Sequence, residues 1–357
     1  MNIILYSRPY WPSVGGVEAT SRILARTLVE LGHNVSVFTS TSLLGKTELT
    51  EGYTISRSSS LLAFVRIART ADLVLIKGGV SAFAGCGGVL ARVPMMVIWH
   101  EMAERYERPG KTCKVLATNF VRRRIVERSS GHVGVTCACL ESRHLADEPE
   151  RCIRKVIYNP ISSELETAAA VLDVENRNTD ILFVGRLIAG KGIFVLSEAL
   201  RILDRQGCPL RAKIVGDGCD RGLMEATLRN LQAMTVTFEG SQEETGLAQS
   251  YASARVLVVP STTHPEGMGL VVAEGMAFGL PVIVSDQPAL KEVVGDAGVI
   301  VRIGDAEALA YAIHALLQDD ERWRLLSDRA RKRSELFSMP KFRQGIIDLL
   351  GEVTKQD

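Results

Sequence analysis

The sequence predicts an α/β protein made of two doubly wound domains, each with a parallel sheet covered by helices. Short apolar segments alternate with helical segments along the chain, and this alternation restarts near residue 181. At 357 residues, the chain exceeds the length at which a single hydrophobic core stops growing. Hydrophobic residues make up 46% and charged residues 23% of the chain, which is typical of globular proteins and excludes a disordered or collagen-like chain.

The first domain is predicted over residues 1–165. An apolar segment at 2–6, a helical segment over 16–31 and a second apolar segment at 34–39 form a β-α-β unit. Three further strands are predicted at 72–76, 95–99 and 132–136. Since these strands are nearly continuous apolar runs, we expect a parallel sheet buried on both faces.

The second domain is predicted over residues 180–339. Its strands are predicted at 181–185, 212–216, 235–239, 255–260 and 281–285, and its helices at 193–206, 222–234 and 267–278. Pro160 and the polar run at 173–180 mark the join, and we predict a linker at 166–179. The apolar stripe of a last amphipathic helix needs a partner, so we expect residues 340–357 to pack back on the first domain. That stripe comprises Phe342, Ile346, Ile347, Leu349 and Leu350.

Composition excludes several functional classes. The formal net charge is +1, so no overall positive field attracts nucleic acid. The seven cysteines form an odd set without C-x-x-C or zinc-like spacing, which indicates reduced thiols. Cys137 and Cys139 are predicted on one face of a strand as small buried side chains. No signal peptide is expected at the first residues, and the longest uncharged stretch, 78–91, is shorter than the roughly 20 residues of a membrane span. These features predict a cytoplasmic protein.

The strongest local signal is a strand–loop–helix segment over 260–277. Gly267 and Gly269 allow a ligand to approach the backbone, and the helix that begins near Met268 and Leu270 offers unpaired amides to a phosphate. Two carboxylates, Glu266 and Glu274, flank this segment. Carboxylates repel phosphate, so we expect them to accept hydrogen bonds from hydroxyls of the same ligand, which is the chemistry of a sugar nucleotide.

A structural role is the alternative for both glutamates. Glu266 could cap the helix, and Glu274 could be an ordinary surface residue. The helical neighbours of Glu274, which include Leu270, Val271 and Phe278, form an apolar face. A carboxylate on that face needs a partner, so the ligand role is favoured for Glu274.

A basic loop after the strand at 181–185 is the second signal. Arg186 can bind a phosphate through two parallel hydrogen bonds, and Lys191 supplies a point charge. The chain contains no Asp-x-Asp pair to hold Mg²⁺ at a diphosphate, so we expect no metal and no other cofactor. An ordinary basic loop is the alternative.

Three further features are candidates for ligand contact. Gly15 and Gly16 precede the first helix and could either approach a ligand or permit close loop packing. His100 ends the strand at 95–99, where ligands bind in open α/β sheets. Gly216 and Gly218 suggest a dinucleotide fingerprint, but the next glycine is one position too late, which argues against an oxidoreductase.

Together these residues resemble family 4 of the retaining glycosyltransferases with the GT-B fold, over nearly the whole chain. The markers are the sequences at 15–18, 184–187, 191–192, 215–218 and the Glu266–Glu274 pair followed by Ala277 and 279–283. The resemblance implies two Rossmann-like domains that face each other across a cleft. It departs from the family at Leu75 and Lys77, where many relatives carry histidines.

The resemblance also implies roles for single residues. Arg186 and Lys191 would bind the diphosphate of a UDP- or GDP-sugar, and Glu274 would hold the ribose. Glu266, with the amides of Gly267, Met268, Gly269 and Leu270, would hold the donor sugar, while Gly216 and Gly218 would lie beside the donor. Gly15 and Gly16 of the first domain are assigned to donor binding, where Gly16 would approach the phosphate or the acceptor. His100 would contact the donor sugar near the reaction centre. No protein base is required in such enzymes, because a phosphate oxygen accepts the proton of the acceptor hydroxyl.

The implied activity is transfer of a hexose to a glycan or lipid-linked hydroxyl, as in polysaccharide or lipopolysaccharide synthesis. A helix predicted over 111–128 places Cys113, Leu116, Ala117, Phe120 and Val121 on one side and basic residues largely elsewhere. Such a helix either contacts anionic lipid or is a domain helix with a solvated basic face, and the sequence leaves both open. Two alternatives to the activity are a nucleotide-sugar epimerase or hydrolase, and a nonenzymatic sugar-phosphate binding module.

Overall fold

The chain folds into two compact α/β units in a computed structural model. The model describes residues 1–12, 15–42, 47–50, 52–100, 113–142, 152–172 and 177–355. The first unit comprises Met1–Asn159 and Phe342–Asp357, and the second comprises Pro160–Lys341. The predicted linker at 166–179 is therefore part of the second unit.

The sheet of the first unit has the strand order β3-β4-β2-β1-β5-β6-β7-β8. These strands are β1 Asn2–Ser7, β2 Asn34–Thr39, β3 Thr47–Thr50, β4 Tyr53–Arg57, β5 Leu73–Lys77, β6 Met95–Trp99, β7 Gly131–Gly134 and β8 Ile153–Val156. All neighbouring strands are parallel except β3 and β4. The chain thus winds outwards from β1 in both directions, which confirms the predicted doubly wound sheet.

Helices cover both faces of this sheet. They are α1 Gly16–Glu30, α2 Leu61–Ala68, α3 Ala82–Ala91, α4 Cys113–Glu127 and α5 Cys137–Glu141. One face packs against α2 and α3 through an aromatic cluster, in which the rings of Phe38 and Phe64 meet edge to face with centroids 5.0 Å apart. Ser60 and Ser81 start α2 and α3 by accepting hydrogen bonds from Ala63 N and Ala84 N.

The second unit contains a six-stranded sheet with the order β11-β10-β9-β12-β13-β14. Its strands are β9 Thr179–Val184, β10 Arg211–Val215, β11 Thr235–Gly240, β12 Ala254–Val259, β13 Val282–Ser285 and β14 Gly298–Val301. Its helices are α6 Ser163–Val171, α7 Ile193–Arg205, α8 Arg221–Leu228, α9 Glu244–Ser253, α10 Leu270–Ala277, α11 Pro288–Val294, α12 Ala306–Gln318 and α13 Asp320–Ser334. All strand pairs are parallel, in the order of a Rossmann sheet.

The last helix, α14, spans Met339–Val353. It begins in the second unit, and its residues from Phe342 onwards belong to the first unit. Four residues of the predicted apolar stripe, Phe342, Ile346, Leu349 and Leu350, are buried, whereas Ile347 is exposed. Lys155 and Glu30 of the first unit form ion pairs with Glu352 and Arg343 of this helix.

The strand predicted at 132–136 ends earlier than expected. Cys137 and Cys139 lie in helix α5, so their prediction on one face of a strand was wrong, and Cys139 is buried while Cys137 is exposed. Thr136 causes the change, because its hydroxyl accepts a hydrogen bond from Cys139 N and so caps the helix.

Helix α4 also differs from its prediction. Leu116 and Phe120, placed on its apolar side, are 55% and 60% exposed, and the Arg124 guanidinium lies 5.3 Å from the centroid of the Phe120 ring. Over 115–127, the described part of this helix, the buried residues are Ile125 and Val126. Apolar and basic side chains therefore share the solvent-facing side, instead of lying on opposite sides.

Candidate functional site

Three loops meet at the carboxyl end of the central strand of the second unit. We call them the β9 loop (185–192), the β10 loop (216–220) and the β12 loop (260–269). Strand β9 has β10 on one side and β12 on the other, so the strand order reverses between β9 and β12. This topological switch point is where open α/β sheets bind ligands.

The β9 and β12 loops are joined through one carbonyl group. Gly190 O accepts hydrogen bonds from Thr262 N and His264 N, at 2.9 and 3.1 Å. Gly192 has a φ of +76°, and a Cβ at this position would lie 1.8 Å from Pro260 O. Only glycine allows this approach, so the sequence Lys191-Gly192 fixes Lys191 against the β12 loop.

The β10 loop packs on the other side of the β9 loop. Leu187 N donates to Asp217 O and Asp220 N donates to Leu187 O, at 2.9 and 3.1 Å. The φ of Gly216 is +129°, and a Cβ there would lie 1.9 Å from Gly185 O. Gly216 thus permits close packing of the two loops, and Gly218 packs against Leu187 of the same β9 loop. That these two glycines bind the donor stays a prediction.

An ion pair lies at the centre of these loops. Lys191 Nζ donates to Glu266 Oε1 at 2.7 Å, and Ser261 Oγ donates to the same oxygen at 2.5 Å. Only 6% of the Glu266 surface is exposed, so the carboxylate depends on these partners. Within the part of the chain that the structure describes, Glu266 Oε2 accepts no hydrogen bond.

Gln287 fixes the conformation of the β12 loop. Its Oε1 accepts from Glu266 N at 3.0 Å, while its Nε2 lies 3.1 to 3.2 Å from the carbonyl oxygens of Ser261, Thr262 and His264. The sequence analysis missed Ser261 and Gln287. The available signal was the polar run that follows the strand at 281–285, because this run ends at the same sheet edge.

The amino end of α10 directly follows the β12 loop in the sequence. Gly269 is its N-cap in the left-handed region, with φ +73°, and Met268 before it is buried. Among the described residues, the amides of Leu270 and Val271 donate to no protein acceptor. Such amides, with the partial positive charge of a helix start, are suited to a phosphate.

Arg186 supplies a second cation to this region. Its side chain is exposed, and Nη2 lies 3.3 Å from His264 Nε2. A solvent-exposed hydrogen bond of 3.3 Å is weak, so the Arg186 and His264 side chains can still turn toward a ligand. This contact joins Arg186 of the β9 loop to His264 of the β12 loop.

Glu274 lies further along α10 with a partner of its own. The hydroxyl of Tyr251 donates to Glu274 Oε2 at 2.7 Å. Burial raises the pKa of the Glu274 carboxyl; the Tyr251 hydrogen bond lowers it, and the nearby Glu244 charge raises it further. This carboxylate can accept further hydrogen bonds from the hydroxyls of a ligand.

The other predicted site residues belong to the first unit. Gly15 is the N-cap of α1 and Gly16 is its first residue. His100 follows β6 and is buried, with its Nδ1 3.5 Å from Asn159 Nδ2. The structure therefore brings Arg186, Lys191, Glu266 and the start of α10 to one set of loops, and it locates Gly15, Gly16 and His100 in the first sheet's unit.

No group of three or more His, Cys, Asp or Glu side chains within the described ranges is arranged to hold a metal ion. The positive groups at the β9 and β12 loops are instead Arg186, Lys191 and helix amides. Metal-independent chemistry stays a prediction.

Known proteins are similar to the second unit in sequence and to the whole chain in fold. Residues 178–319 match the family model described as glycosyl transferases group 1. A D-inositol 3-phosphate glycosyltransferase of Xylanimonas cellulosilytica is 34% identical over 186 residues, which are 49% of this chain and 43% of that protein. The O-antigen chain mannosyltransferase B of Escherichia coli is 30% identical over 161 residues, 44% of this chain and 42% of that protein. The alignments thus span less than half of these relatives.

Solved structures match the full chain at low sequence identity. The sucrose-phosphate synthase of Thermosynechococcus elongatus superposes with a TM-score of 0.76 at 22% identity and covers 100% of both chains. Anabaena HepE, solved in complex with UDP, gives a TM-score of 0.74 at 20% identity over 98% of this chain and 100% of that chain. Both matches concern the fold, which is the predicted GT-B architecture. The match to the glycosyl transferases group 1 family covers residues 178–319, within the second unit.

Proposed function

We propose that this chain is a retaining, metal-independent glycosyltransferase that uses a UDP- or GDP-sugar. It would transfer a hexose-type sugar to a hydroxyl of a glycan or lipid-linked acceptor, in the synthesis of cell-surface polysaccharide or lipopolysaccharide. One observation carries the proposal. The Lys191–Glu266 ion pair, 2.7 Å long, lies at the switch point of a Rossmann sheet, where it joins the loops that follow β9 and β12.

Cations and amides of the second unit would hold the diphosphate. Lys191 uses one of its ammonium hydrogens on Glu266 and keeps two for phosphate oxygens. The exposed Arg186 guanidinium can donate two parallel hydrogen bonds, and the Leu270 and Val271 amides add two neutral donors. Glu266 is anchored through Oε1, so its Oε2 would accept from a hydroxyl of the donor sugar. Glu274 would accept from the ribose hydroxyls.

The reaction would proceed by front-side displacement. The acceptor oxygen forms a bond to the anomeric carbon as the bond from that carbon to the β-phosphate oxygen breaks. The acceptor proton passes to an oxygen of the departing phosphate, so the products are a glycoside with retained configuration and a nucleoside diphosphate. Negative charge grows on the leaving phosphate, and fixed positive groups would stabilise it without rearrangement. Buried His100 would contact the donor sugar from the first unit.

Relatives with known ligands support the donor class. HepE of Anabaena has been solved with UDP and glucose, at a TM-score of 0.73 and 19% identity to this chain. The group 1 match covers the unit that contains Lys191, Glu266 and Glu274. Other relatives are an O-antigen chain mannosyltransferase and WaaG, a glycosyltransferase involved in lipopolysaccharide biosynthesis, and they motivate the proposed acceptor class.

A cytoplasmic location at the inner face of the membrane is part of the proposal. None of the helices in the described ranges has the length and apolarity needed to cross a bilayer. Exposed Leu116 and Phe120 beside Arg124 on α4 would provide a peripheral contact with anionic lipid. Flotation with anionic vesicles at low salt should retain the protein, and equal flotation with neutral vesicles would count against charge-based binding.

Acceptor-dependent release of UDP or GDP tests the activity. Lys191→Met should reduce kcat/KM by about 100-fold or more, because it removes a charge that acts on the leaving group. Lys213→Met, in the same unit but bonded to Ser253 outside the three loops, is the matched control and should keep activity. Release of nucleotide without acceptor would indicate the hydrolase or epimerase alternative. Binding of nucleotide sugar without any release would indicate a binding module.

A further inference from the structure

The sheet of the second unit ends in a strand that has a partner on one side. Strand β14, at Gly298–Val301, pairs with β13, and among the described residues no further strand pairs with its outer side. The side chain of Ile300 in this strand is 45% exposed, and Ile303, three residues later, is exposed to the same extent. An open apolar edge of this kind is a template for pairing with another strand.

The backbone groups on the outer side of β14 can be identified. Val301 O accepts a hydrogen bond at 2.8 Å from Asp286 N, which directly follows β13, so the polar backbone groups of Val301 face β13. Successive residues of a strand direct these groups to opposite sides. The backbone groups of Gly298 and Ile300 therefore face outward, and each residue offers one N–H and one C=O to a partner strand.

Opposite charges flank this edge at equal spacing. Asp296 lies two residues before Gly298, its side chain is 70% exposed, and Oδ2 is 3.6 Å from Arg329 Nη1. Arg302 lies two residues after Ile300 and is exposed, and its side chain forms no ion pair or hydrogen bond within the described ranges. Reversing the direction of the strand therefore exchanges the positions of the acid and the base.

We propose that two copies of this chain associate through β14, which pairs in antiparallel orientation with β14 of the second copy. In the register centred on Val299, Gly298 of each copy lies opposite Ile300 of the other, and the two outward-facing pairs form four backbone hydrogen bonds. The same register places Arg302 of each copy opposite Asp296 of the other, twice by symmetry.

A second copy is the occupant that this edge fits. The register joins each exposed acid to a base, so no like charges are opposed. A Cβ at Gly298 would lie 2.2 Å from Val282 O, so the strand requires glycine there, and the missing side chain leaves room for the opposite Ile300. Because the strand is short, the interface is smaller than the standard area of about 1,600 Å², and we expect a weak dimer with a Kd on the order of 10 μM.

Sedimentation of the full chain from about 1 to about 200 μM tests the dimer. Arg302→Glu and Asp296→Arg each create two like-charge contacts, and each should raise Kd by about 10-fold or more. An equimolar mixture of these two variants should dimerise as the wild type does, because both contacts of the mixed dimer join opposite charges. Arg229→Glu is the matched control and should dimerise normally, since this exposed arginine follows α8, which connects β10 and β11 at the other edge of the sheet.

Hydrogen exchange of the wild type provides a second measurement that needs no variant. The amides of Gly298 and Ile300 should exchange more slowly as the protein concentration rises through Kd. Three results would overturn the proposal: a wild type that stays monomeric at about 200 μM, a dimer that neither charge reversal weakens, and a mixture of the two variants that stays monomeric. These residues lie outside the β9, β10 and β12 loops, so none of these results bears on the proposed transfer activity.

Discussion

Two carboxylates of the second unit, buried Glu266 and half-buried Glu274, are held by different partners. Glu266 is held by a cation and a hydroxyl, at 2.7 and 2.5 Å from the same oxygen. Glu274 is held by the neutral hydroxyl of Tyr251, and burial raises its pKa. The charge of Glu266 is thus compensated within the protein, whereas that of Glu274 is not, and the two residues should respond differently to pH.

Glu274→Gln should stabilise the protein at neutral pH. The raised pKa means that the folded state binds this proton more tightly than the unfolded state does, so the carboxyl's contribution to stability falls as pH rises through the raised pKa. Glutamine keeps an acceptor for Tyr251 and cannot ionise. The Tm difference between variant and wild type should therefore be small at pH 4 and grow toward pH 7, as followed by calorimetry.

The same substitution at Glu266 provides the control for this prediction. Glu266→Gln removes the charge that pairs with Lys191, so it should lower Tm at pH 7. A stabilising effect at both positions would mean that neither glutamate is compensated within the protein, contrary to the structure.

The β12 loop is the element on which the proposed site depends. Gln287 joins four backbone groups of this loop, and it is 7% exposed. Gln287→Met keeps the length of the side chain but removes its hydrogen bonds to these four groups. We expect a loss of about 3 kcal/mol in the free energy of unfolding, measured in urea. The KM for the donor should also rise, because Glu266 and the start of α10 lose their common support.

A matched substitution separates the two effects. Gln242→Met removes another glutamine of the second unit, which accepts from Ser250 outside the β12 loop. It should leave the donor KM unchanged. If Gln287→Met changes stability alone, the loop's geometry does not control donor binding.

Helix α14 should be held to the first unit by its apolar stripe more than by its ion pairs. Leu349 is 1% exposed, and Leu349→Ala should cost about 3 kcal/mol of unfolding free energy. The Arg343–Glu30 pair is exposed on both sides, so Arg343→Ala should cost less than about 1 kcal/mol. Urea unfolding of the two variants measures the difference, and equal losses would contradict it.

Most elements of this fold could be predicted because their apolar patterns are strong. Strand β6, with five consecutive buried residues, and helix α1, which ends at Glu30 shortly before Gly32, were both predicted to within a residue. The hairpin of β3 and β4 was not predicted, since its polar residues, such as Thr47 and Glu48, obscure a strand pattern. Helix α5 was missed because a capping hydroxyl, not hydrophobic periodicity, starts it.

Single residues of the site could be predicted from the sequence, but the contacts between them could not. Lys191 and Glu266 could be named because glycines and a helix start lie beside them in the sequence. Their ion pair could not, because it joins residues 75 positions apart. Gln287 and Tyr251 contribute through contacts between elements, and their hydrogen bonds to Glu266 and Glu274, 21 and 23 positions away, could not be predicted from the sequence.

The whole molecule has nearly balanced charge, with 42 basic and 41 acidic residues. A diphosphate would therefore depend on local cations and not on a general field. If Arg186, Lys191 and the helix amides suffice, activity should persist in excess EDTA and should not rise with added Mg²⁺. The assay is acceptor-dependent release of UDP or GDP, with a metal-dependent transferase as the control for chelation. Loss of activity in EDTA, restored by Mg²⁺, would contradict metal independence.

The first unit is assembled from two distant parts of the chain, 1–159 and 342–357. During synthesis, the sheet face that carries Leu75, Ile98 and Val133 emerges from the ribosome long before Leu349 and Leu350, which cover it. The second unit, 160–341, is contiguous and emerges in between. At translation speeds of about 5–20 residues per second, this sheet face stays exposed for on the order of ten seconds or more before α14 is synthesised. Nascent chains should therefore be clients of chaperones that bind exposed apolar sheet until residues 342–353 have been translated.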